Sequence, residues 1–515
     1  MNSYDAIIIG AGISGLTAGN YLARGGARVL LCEQASNTGG LFNSFERNGF
    51  VFDGGIKSVE SSGIILPMLT QLGLLDEIGF IKDPVAMITA GHVQPIRSLD
   101  EVQVHFQNIK TQFPTQAQGL ERVWQDTSRV FNFLDALLAF PNPLFQSPTE
   151  QKEMQSRWIK ANASKLMKAP WCLPLFNITL REYLGKHLSD ASLVDFLSAI
   201  FPDGTTAFFG LGYFRMFQDY QYPTGGVGKL PEAMTAAFTR QGGTLLLNAR
   251  VVKILMKDGC VRGVKLADGR EFLANHILTA ADANLTFREL LPRQAVPDDF
   301  LQKLVKAEPS HSAFSVFLCL DIPASKLNFK DCQHVFYHPD LAGIREGDCL
   351  TRPDYFSHVP QEISCPSLHQ PRLAPRGKSG LILSAMTSYH YADNWGLKNG
   401  QPTARYKKLK DKFAREMIAS LEKFIPGLSD HIESFSVATP RTIYDQTLNW
   451  QGGIMGWSYI RQKSFYRGSM LQILRSIQTP VKNLLMSGQW AFTPGGSPIS
   501  VLTGKLAADE ILKSK

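Results

Sequence analysis

The sequence predicts an α/β fold, in which one sheet is assembled from discontinuous segments and a mixed sheet-plus-helix domain lies beside it. The chain opens with a strand, a glycine-rich turn, a helix and a second strand within its first 32 residues. Strand-like segments and glycine pairs return over residues 222–310 and again after residue 471. Between these segments the pattern is mainly helical over 64–215 and strand-like over 311–395, which indicates a second region with its own core.

The composition is typical of a large folded protein. Of the 515 residues, 44% are hydrophobic and 19% are charged, which excludes intrinsic disorder, collagen and coiled coil. The 53 basic and 45 acidic residues leave a net charge of +8, which favours contact with anionic lipid or another polyanion. No apolar run reaches the ~20 residues that a membrane-spanning helix requires, so we expect any membrane contact to be peripheral.

The cysteines indicate a reducing compartment. All seven are widely spaced, with no CxxC or Cys/His zinc pattern, and we expect them to be small core residues. His334 and His338 would share one face of a strand or a helix, but no third ligand accompanies them, so we predict no metal site. Because the dinucleotide-binding pattern begins at Tyr4, we expect no targeting peptide. We therefore expect a cytoplasmic protein, with membrane association left open.

The first 24 residues carry the strongest signal, the start of a Rossmann-type dinucleotide-binding unit. Residues 4–9 predict a buried strand, and residues 13–24 predict a helix. The turn between them is Gly10-Ala-Gly12-Ile-Ser-Gly15. Gly10 permits the tight turn, Gly12 lets the backbone approach a pyrophosphate, and Gly15 lets the helix pack closely on the strand. The amino end of the helix supplies free N–H groups and a positive dipole for the phosphates.

An acidic residue and two glycine pairs extend this unit. Glu33 ends the second strand (residues 28–32) and can accept hydrogen bonds from both hydroxyls of an adenosine ribose. NAD and FAD share this half, so the motif alone does not choose between them. The pairs Gly39-Gly40 and Gly54-Gly55 would let backbone amides run beside a long, flat cofactor. Because no second GxGxxG unit is present, we expect one dinucleotide bound within the fold.

Two stretches have alternative interpretations. Residues 130–140 are apolar over three turns and predict either a buried core helix or the wall of an apolar channel or membrane-dipping surface. Residues 457–475 interleave aromatic and aliphatic side chains with cations, which indicates either a membrane-binding surface or a basic face over core aromatics. No nucleic-acid-binding module is recognisable, so we expect no nucleic-acid partner.

Further motifs extend over essentially the whole chain. They are residues 5–15 with Glu33, Gly39-Gly40, Phe52-Asp53-Gly54, Tyr222-Pro-x-Gly-Gly226, residues 367–377, Thr439-Pro-x-Thr442, Gly452-Gly-x-x-Gly456 and residues 488–504. In this set and this order the chain resembles the flavin-dependent phytoene desaturase, carotenoid isomerase and retinol saturase family, which is related to the flavin amine oxidases.

The resemblance implies FAD as the cofactor. The residues implied to hold it are Gly10, Gly12, Ile13, Ser14, Gly15, Glu33, Gln34, Gly39, Gly40, Leu41, Gly54, Gly55, Val251, Gly488, Gln489, Pro498 and Ile499. Val251 would meet the adenine, and Gly54-Gly55 would lie near the flavin. Gly488-Gln489 and the start of the last helix would hold the ribityl chain and the edge of the flavin ring.

The domain organisation that we expect has five segments. Residues 1–85, 222–310 and 471–515 would form the FAD-binding domain. Residues 86–221 would form a mainly helical region for substrate or lipid contact, and residues 311–470 a mixed sheet-and-helix substrate domain.

The resemblance implies an oxidoreductase that acts on carbon–carbon bonds of a long apolar isoprenoid or polyene lipid, such as a carotenoid-like or retinoid-like molecule. Desaturation, saturation and cis–trans isomerisation share hydride transfer at flavin N5, and all three stay open. So do a flavin amine oxidase-like or protoporphyrinogen oxidase-like enzyme and a non-enzymic prenyl-lipid-binding protein of the same fold. Leu41 stands where amine oxidases have Arg, and Gln489 where Asp is common, which favours the isomerase and saturase branch.

No catalytic acid or base is obvious in the sequence. Glu60 and Lys57 follow Gly54-Gly55 and are candidates by position only. We expect the two side chains to form a surface salt bridge instead. The electron donor or acceptor and the oligomeric state are not predicted.

Overall fold

The computed structural model describes residues 3–139, 142–146, 148–167, 169–339, 341, 343–465 and 470–514. The strands are β1 Ser3–Ile9, β2 Val29–Cys32, β3 Ser44–Arg47, β4 Phe50–Asp53, β5 Val59–Glu60, β6 Phe80–Lys82, β7 Val85–Thr89, β8 His92–Pro95, β9 Tyr220–Pro223, β10 Thr244–Leu246, β11 Val251–Lys257, β12 Cys260–Leu266, β13 Glu271–Thr279, β14 Ser312–Leu320, β15 His334–His338, β16 Gln361–Ser364, β17 Ser379–Thr387, β18 Ile432–Ala438 and β19 Leu484–Met486. The helices are α1 Ile13–Arg24, α2 Ile65–Leu72, α3 Leu75–Ile78, α4 Leu99–Gln112, α5 Ala117–Leu138, α6 Pro148–Met167, α7 Leu180–His187, α8 Ala191–Ser198, α9 Ala207–Met216, α10 Lys229–Arg240, α11 Asp298–Lys306, α12 Tyr355–His358, α13 Tyr391–Asn394, α14 Ala404–Glu422, α15 Pro440–Thr447 and α16 Ser497–Lys513.

The first sheet joins segments that are far apart in the chain. Its strand order is β10-β2-β1-β13-β12-β11, and β19 pairs with β13. β1 lies between β2 and β13, parallel to both, and β19 is parallel to β13. Helices α1, α10 and α16 cover one face of this sheet with a shared apolar core. The predicted α/β fold with a discontinuous nucleotide-binding sheet is confirmed, and the exact segment boundaries stay a prediction.

The second sheet has the order β18-β14-β17-β16-β15-β7-β8 and is antiparallel except for the β15–β7 pair. The expectation that residues 64–215 are mainly helical is wrong for residues 80–95, which contain β6, β7 and β8. All five residues of Val85–Thr89 are buried, because β7 lies inside the sheet between β15 and β8. A short buried strand carries no alternation of polar and apolar residues that would distinguish it from a helix segment.

The helices α4, α5, α7, α8 and α9 pack together beside the second sheet. α4 begins after Ser98, whose hydroxyl accepts the N–H of Glu101 at 3.2 Å and so caps the helix. In α5, Val130 and Phe131 are buried, whereas Asn132 and Asp135 are exposed. This one-sided burial supports the core-helix interpretation of residues 130–139. Phe140 lies outside the described residues.

The aromatic side chains of residues 457–465 are part of the interior. Trp457 and Phe465 are buried and their rings stack with centroids 5.2 Å apart, so they are not available to a membrane surface. Tyr466 and Arg467, which belong to the same sequence stretch, lie outside the described residues. None of the described helices combines the length and the apolar character that crossing a bilayer requires. The seven cysteines, all in the described part of the chain, are buried, and none forms a disulfide.

Candidate cofactor and substrate site

A groove of about 170 Å³ crosses the carboxyl edge of the first sheet. Its walls include the residues that follow four parallel strands: Gly10 after β1, Glu33 after β2, Ala280 after β13 and Gly488 after β19. Parallel strands expose their carboxyl ends at one edge, which is where open α/β sheets bind nucleotides. The groove is therefore placed by the topology of the sheet.

The glycine turn gives this groove its open floor. Gly10 has a φ of +97°, which the tight turn after β1 requires. A Cβ built on Gly12 would meet no heavy atom within 4 Å, so the groove comes directly to the backbone there. A Cβ on Gly15 would lie 2.0 Å from the carbonyl oxygen of Gly10. Gly12 thus leaves room in the groove, and Gly15 lets α1 pack on the turn.

Two helices point uncapped amino ends at the groove. α1 begins after Gly12 and α16 begins after Gly496, and neither glycine can cap its helix with a side chain. Ile13 and Ser14 of α1 and Ser497 of α16 all line the groove. The N–H groups of a first helical turn have no partner within the helix, and the helix dipole is positive there. This end of the groove suits an anion such as a diphosphate.

Glu33 is held rigidly at the rim of the groove. Its Oε2 accepts the N–H of Ala11 at 2.7 Å and its Oε1 accepts the N–H of Ala35 at 2.9 Å. Burial raises the pKa of Glu33, and the backbone donors oppose that rise. Each carboxylate oxygen can still accept another hydrogen bond. The residue is therefore oriented for a pair of ribose hydroxyls.

The structure brings together twelve of the seventeen residues that the sequence assigned to the cofactor. Those lining the groove are Gly10, Gly12, Ile13, Ser14, Glu33, Gln34, Gly39, Gly40, Leu41, Val251, Gly488 and Gln489. The groove wall does not include Gly15, Gly54, Gly55, Pro498 and Ile499. Gly55 acts by packing, because its Cβ would lie 2.3 Å from the carbonyl oxygen of Leu41. This close approach brings the next residue, Ile56, into the wall.

Several groove residues were missed from the sequence. Ala280 and Ala281 follow β13, and a search for residues beyond each predicted parallel strand would have found them. Asn449 and Ile454 also line the groove, and they come from loops with no local signal of cofactor binding. They reach the site only because the second half of the chain folds back over it.

Asp53 links two of the sequence motifs, Phe52-Asp53-Gly54 and Tyr222-Pro-x-Gly-Gly226. It is buried and accepts hydrogen bonds from the hydroxyl of Tyr222, from Ser44 Oγ at 2.7 Å and from the N–H of Val227 at 3.0 Å. Burial raises its pKa to about 6, although these donors oppose the rise. Asp53 therefore joins β4 to the turn that follows β9, and its role is to hold the wall of the site in place.

Lys57 is part of a buried cluster of charges. Only 8% of its side chain is exposed; its Nζ donates to the carbonyl of Gly55 at 3.1 Å and lies 3.6 Å from Glu362 Oε2. His334 Nε2 lies 3.0 Å from the other oxygen of Glu362, and His334 Nδ1 lies 3.7 Å from Asp83 Oδ2. The prediction of a surface salt bridge between Lys57 and Glu60 is wrong. Lys57 is buried and pairs instead with Glu362 of β16, which is distant in the sequence.

The charges of this cluster stabilise one another. Burial favours neutral Glu362, but the charge of Lys57 and the contact with His334 outweigh burial and lower the pKa of Glu362 to about 2. Burial also favours neutral His334, but its contacts with Asp83 and Glu362 outweigh burial and raise its pKa to about 9. Near neutral pH the cluster therefore contains an imidazolium and a carboxylate.

Glu60 has a different environment. Its Oε2 accepts a hydrogen bond of 3.2 Å from the hydroxyl of Tyr213, which lies 2.9 Å from the hydroxyl of Tyr220, and its Oε1 accepts one from Ser62. Burial raises the pKa of Glu60, and no cation in the described part of the chain lies within ion-pair distance. Glu60 is therefore biased towards the protonated acid, four residues after Ile56 in the groove wall. Within the described residues, no group of three or more His, Cys, Asp or Glu could hold a metal ion.

Comparison with known proteins agrees with this geometry. The family model described as "Flavin containing amine oxidoreductase" matches residues 13–512. Prolycopene isomerase 1, chloroplastic, of an Oncidium hybrid cultivar is 30% identical, over 85% of this chain and 73% of that protein. The human all-trans-retinol 13,14-reductase is 26% identical, over 95% of this chain and 83% of that protein.

A solved structure has the same fold. Cyclohexylamine oxidase from Brevibacterium oxydans superposes with a TM-score of 0.59 at 16% identity, covering 100% of this chain and 99% of that one. The family match extends over nearly the whole chain, and the family is defined by a flavin cofactor. The chain belongs to the flavin-containing amine oxidoreductase family.

Proposed function

We propose that the protein is an FAD-dependent oxidoreductase that acts on carbon–carbon bonds of a long apolar isoprenoid or polyene lipid. The observation that carries the proposal is the groove, whose lining combines two uncapped helix ends and Glu33 with the apolar side chains of Leu41, Ile56 and Ile454. The prolycopene isomerase and the retinol reductase among the relatives favour a polyene substrate.

FAD fits the residues that are present. The open backbone at Gly12 and the uncapped start of α16 would hold the diphosphate, and Glu33 would accept the hydroxyls of an adenosine ribose. Val251 would lie at the adenine and Gly488-Gln489 at the ribityl chain. When bound, the flavin supplies hydride transfer at N5.

The protein would orient an apolar substrate by shape and exclude water from it, because a polyene offers few groups for hydrogen bonding. We assign the proton chemistry to Glu60. Saturation of a C=C bond requires a hydride at one carbon and a proton at its neighbour, and desaturation removes both. Glu60 would give or take that proton, and the hydroxyls of Tyr213 and Tyr220 would pass it onward. Lys57 is tied to Glu362 and is not assigned this role.

The direct experiment is anaerobic incubation of the flavin-loaded protein, once oxidised and once reduced beforehand with dithionite, with all-trans-retinol and with an acyclic carotene. Product mass and isomer analysis then assign the reaction: gain of two hydrogens is saturation, loss of two is desaturation, and an unchanged mass with a new geometry is isomerisation. If no polyene gives a product under these conditions, the proposal is overturned.

The role of Glu60 is tested with Glu60→Gln. We expect turnover to fall by about 10²- to 10⁴-fold, the usual contribution of a general acid, with flavin content unchanged. The matched control is Glu232→Gln on the exposed start of α10, which should have no effect. Undiminished turnover in the Glu60 variant would remove Glu60 from the mechanism.

Amine oxidation is a second candidate, favoured by the family model and by the fold of cyclohexylamine oxidase. Formation of hydrogen peroxide from amines in air would support it. A third candidate, a non-enzymic prenyl-lipid-binding protein of this fold, is opposed by the open glycine floor, and a protein that binds lipid but no flavin would support it.

We also propose a cytoplasmic location with peripheral membrane contact. The support is the net charge of +8 and the exposed side chains of Met167, Leu173 and Phe176 beside the helical region. We expect the protein to float with anionic liposomes at low salt. No flotation under those conditions would contradict the proposal.

A further inference from the structure

The helical region contains a second cavity, separate from the groove. It has a volume of about 40 Å³ and is bounded by side chains of α4, α5, α7, α8 and α9 and of the strands β7 and β15. Its lining is apolar with two exceptions, His105 of α4 and His338 of β15. The ring of His338 lies against that of Phe196, with centroids 4.6 Å apart.

His105 is a buried polar side chain in the wall of this cavity. It is 4% exposed, and no charged or hydrogen-bonding group in the described part of the chain acts on its pKa. Its neighbours are the rings of Phe106 and Phe214, at 6.2 and 6.1 Å. Burial lowers the pKa of His105 to about 4, so the imidazole is neutral and carries one donor and one acceptor nitrogen. Buried polar groups of this kind nearly always have a partner, and here the open space beside the ring is the cavity.

One helix connects this cavity to Glu60. In α9, Gly210 and Phe214 line the cavity, while Tyr213 between them donates to Glu60. Phe201 also lines the cavity, and its ring centroid lies 5.5 Å from that of Tyr213. Helix α9 therefore contacts both Glu60 and the cavity, and a long molecule that reacts near Glu60 would have to run along α9 to reach His105.

We propose that the cavity binds one end of the lipid substrate and that His105 hydrogen-bonds to a hydroxyl group at that end. The inference rests on the proposed function, since it takes the reacting bond to lie between the groove and Glu60. One water needs roughly 10–15 Å³, so the cavity has room for a few non-hydrogen atoms. It suits a narrow chain end that carries a primary alcohol and is too small for a cyclised end group. The preferred substrate is a polyene alcohol that enters with its hydroxyl first.

Binding is measured on the oxidised, flavin-loaded protein, which cannot reduce the probe. The probes are all-trans-retinol and the hydrocarbon that differs from it only by the missing hydroxyl. The readout is quenching of tryptophan fluorescence by the polyene, because Trp124 packs on Phe106 of the cavity wall, with ring centroids 5.7 Å apart. The part of the quenching that disappears in Trp124→Phe reports on this cavity.

We expect the wild-type protein to bind the alcohol about three- to tenfold more tightly than the hydrocarbon, the usual effect of one neutral hydrogen bond. His105→Leu should abolish this preference and His105→Gln should restore part of it, whereas His92→Gln, at an exposed position at the start of β8, should leave it unchanged. Equal affinity of the wild-type protein for the two probes would overturn the inference, and this comparison needs no variant.

The outcomes separate the inference from the proposed function. If the alcohol shows a His105-dependent preference but no polyene is converted under reducing conditions, the cavity assignment stands and the proposed function fails. If polyenes are converted with no preference for the alcohol and no effect of His105→Leu, the proposed function stands and the cavity assignment fails.

Discussion

Two glycines of the same turn are expected to respond differently to one added methyl group. At Gly12 a Cβ would meet no heavy atom within 4 Å, and the backbone, with φ −67° and ψ 176°, is one that alanine adopts freely. Gly12→Ala reduces the freedom of the unfolded chain, which stabilises by about 0.4–1 kcal/mol. Alanine is a poorer residue than glycine before a helix, which costs a comparable amount. The free energy of unfolding of the cofactor-free chain should therefore change by less than about 1 kcal/mol.

At Gly15 there is no space for the methyl group that Gly15→Ala would add. The added carbon would lie 2.0 Å from the carbonyl oxygen of Gly10 and 3.3 Å from a methyl group of Ile8. Because backbone is on one side and the sheet is on the other, α1 must move away from β1. Overpacking of this kind typically costs about 1–3 kcal/mol, and we expect the upper end of that range.

The assay combines urea unfolding of the flavin-free protein with a flavin-binding titration. Gly12→Ala should keep the wild-type unfolding midpoint and bind flavin at least about tenfold more weakly, because its methyl group stands where the phosphates approach the backbone. Gly15→Ala should lower both the midpoint and the affinity. Unchanged flavin affinity in Gly12→Ala would refute the assignment of the groove, and an unchanged midpoint in Gly15→Ala would refute the packing argument.

Three further predictions concern buried polar groups near the site. Ionised Glu362, with its pKa lowered from 4.5 to about 2, contributes stability that is present above pH 4.5 and lost as the pH falls through 2. Protonated His334, with its pKa raised from 6.5 to about 9, contributes about 3 kcal/mol of stability that is fully present below pH 6.5 and lost as the pH rises through 9. Urea unfolding from pH 5 to 10 should show this loss in the wild-type protein and not in His334→Phe. The same dependence of unfolding free energy on pH in both proteins would contradict the prediction. Tyr222→Phe leaves Asp53 short of one buried donor and should lower the free energy of unfolding by about 1–3 kcal/mol, whereas an unchanged unfolding midpoint would show that this hydrogen bond is not stabilising.

The amino-terminal unit could be predicted from the sequence because its signals are local. α1 begins at Ile13 and ends at Arg24, as predicted, since glycines flank an apolar stretch on both sides. The strands β14 and β17 lie within residues 311–395, which were predicted to be strand-like, because each is a single long run with strand character. The groove followed from the first unit, since its floor is the turn between β1 and α1.

Features that depend on distant pairing could not be predicted. β7 is recognisable as a strand only beside β15, which comes much later in the chain. Lys57 and Glu60 are neighbours in sequence, and a salt bridge between them was the simplest interpretation. The fold separates them, because β16 brings Glu362 to Lys57 while α9 brings Tyr213 to Glu60. The charge of a buried side chain thus depends on partners that the local sequence does not contain.

The most direct test of the account is the absorption spectrum of the protein, purified and then reconstituted with FAD. We expect the visible bands of a bound flavin, close to one per chain, and release of FAD rather than FMN on denaturation, because Glu33 and the ends of α1 and α16 are arranged for the diphosphate and the adenosine ribose. A protein that is colourless before and after reconstitution would contradict the central claim.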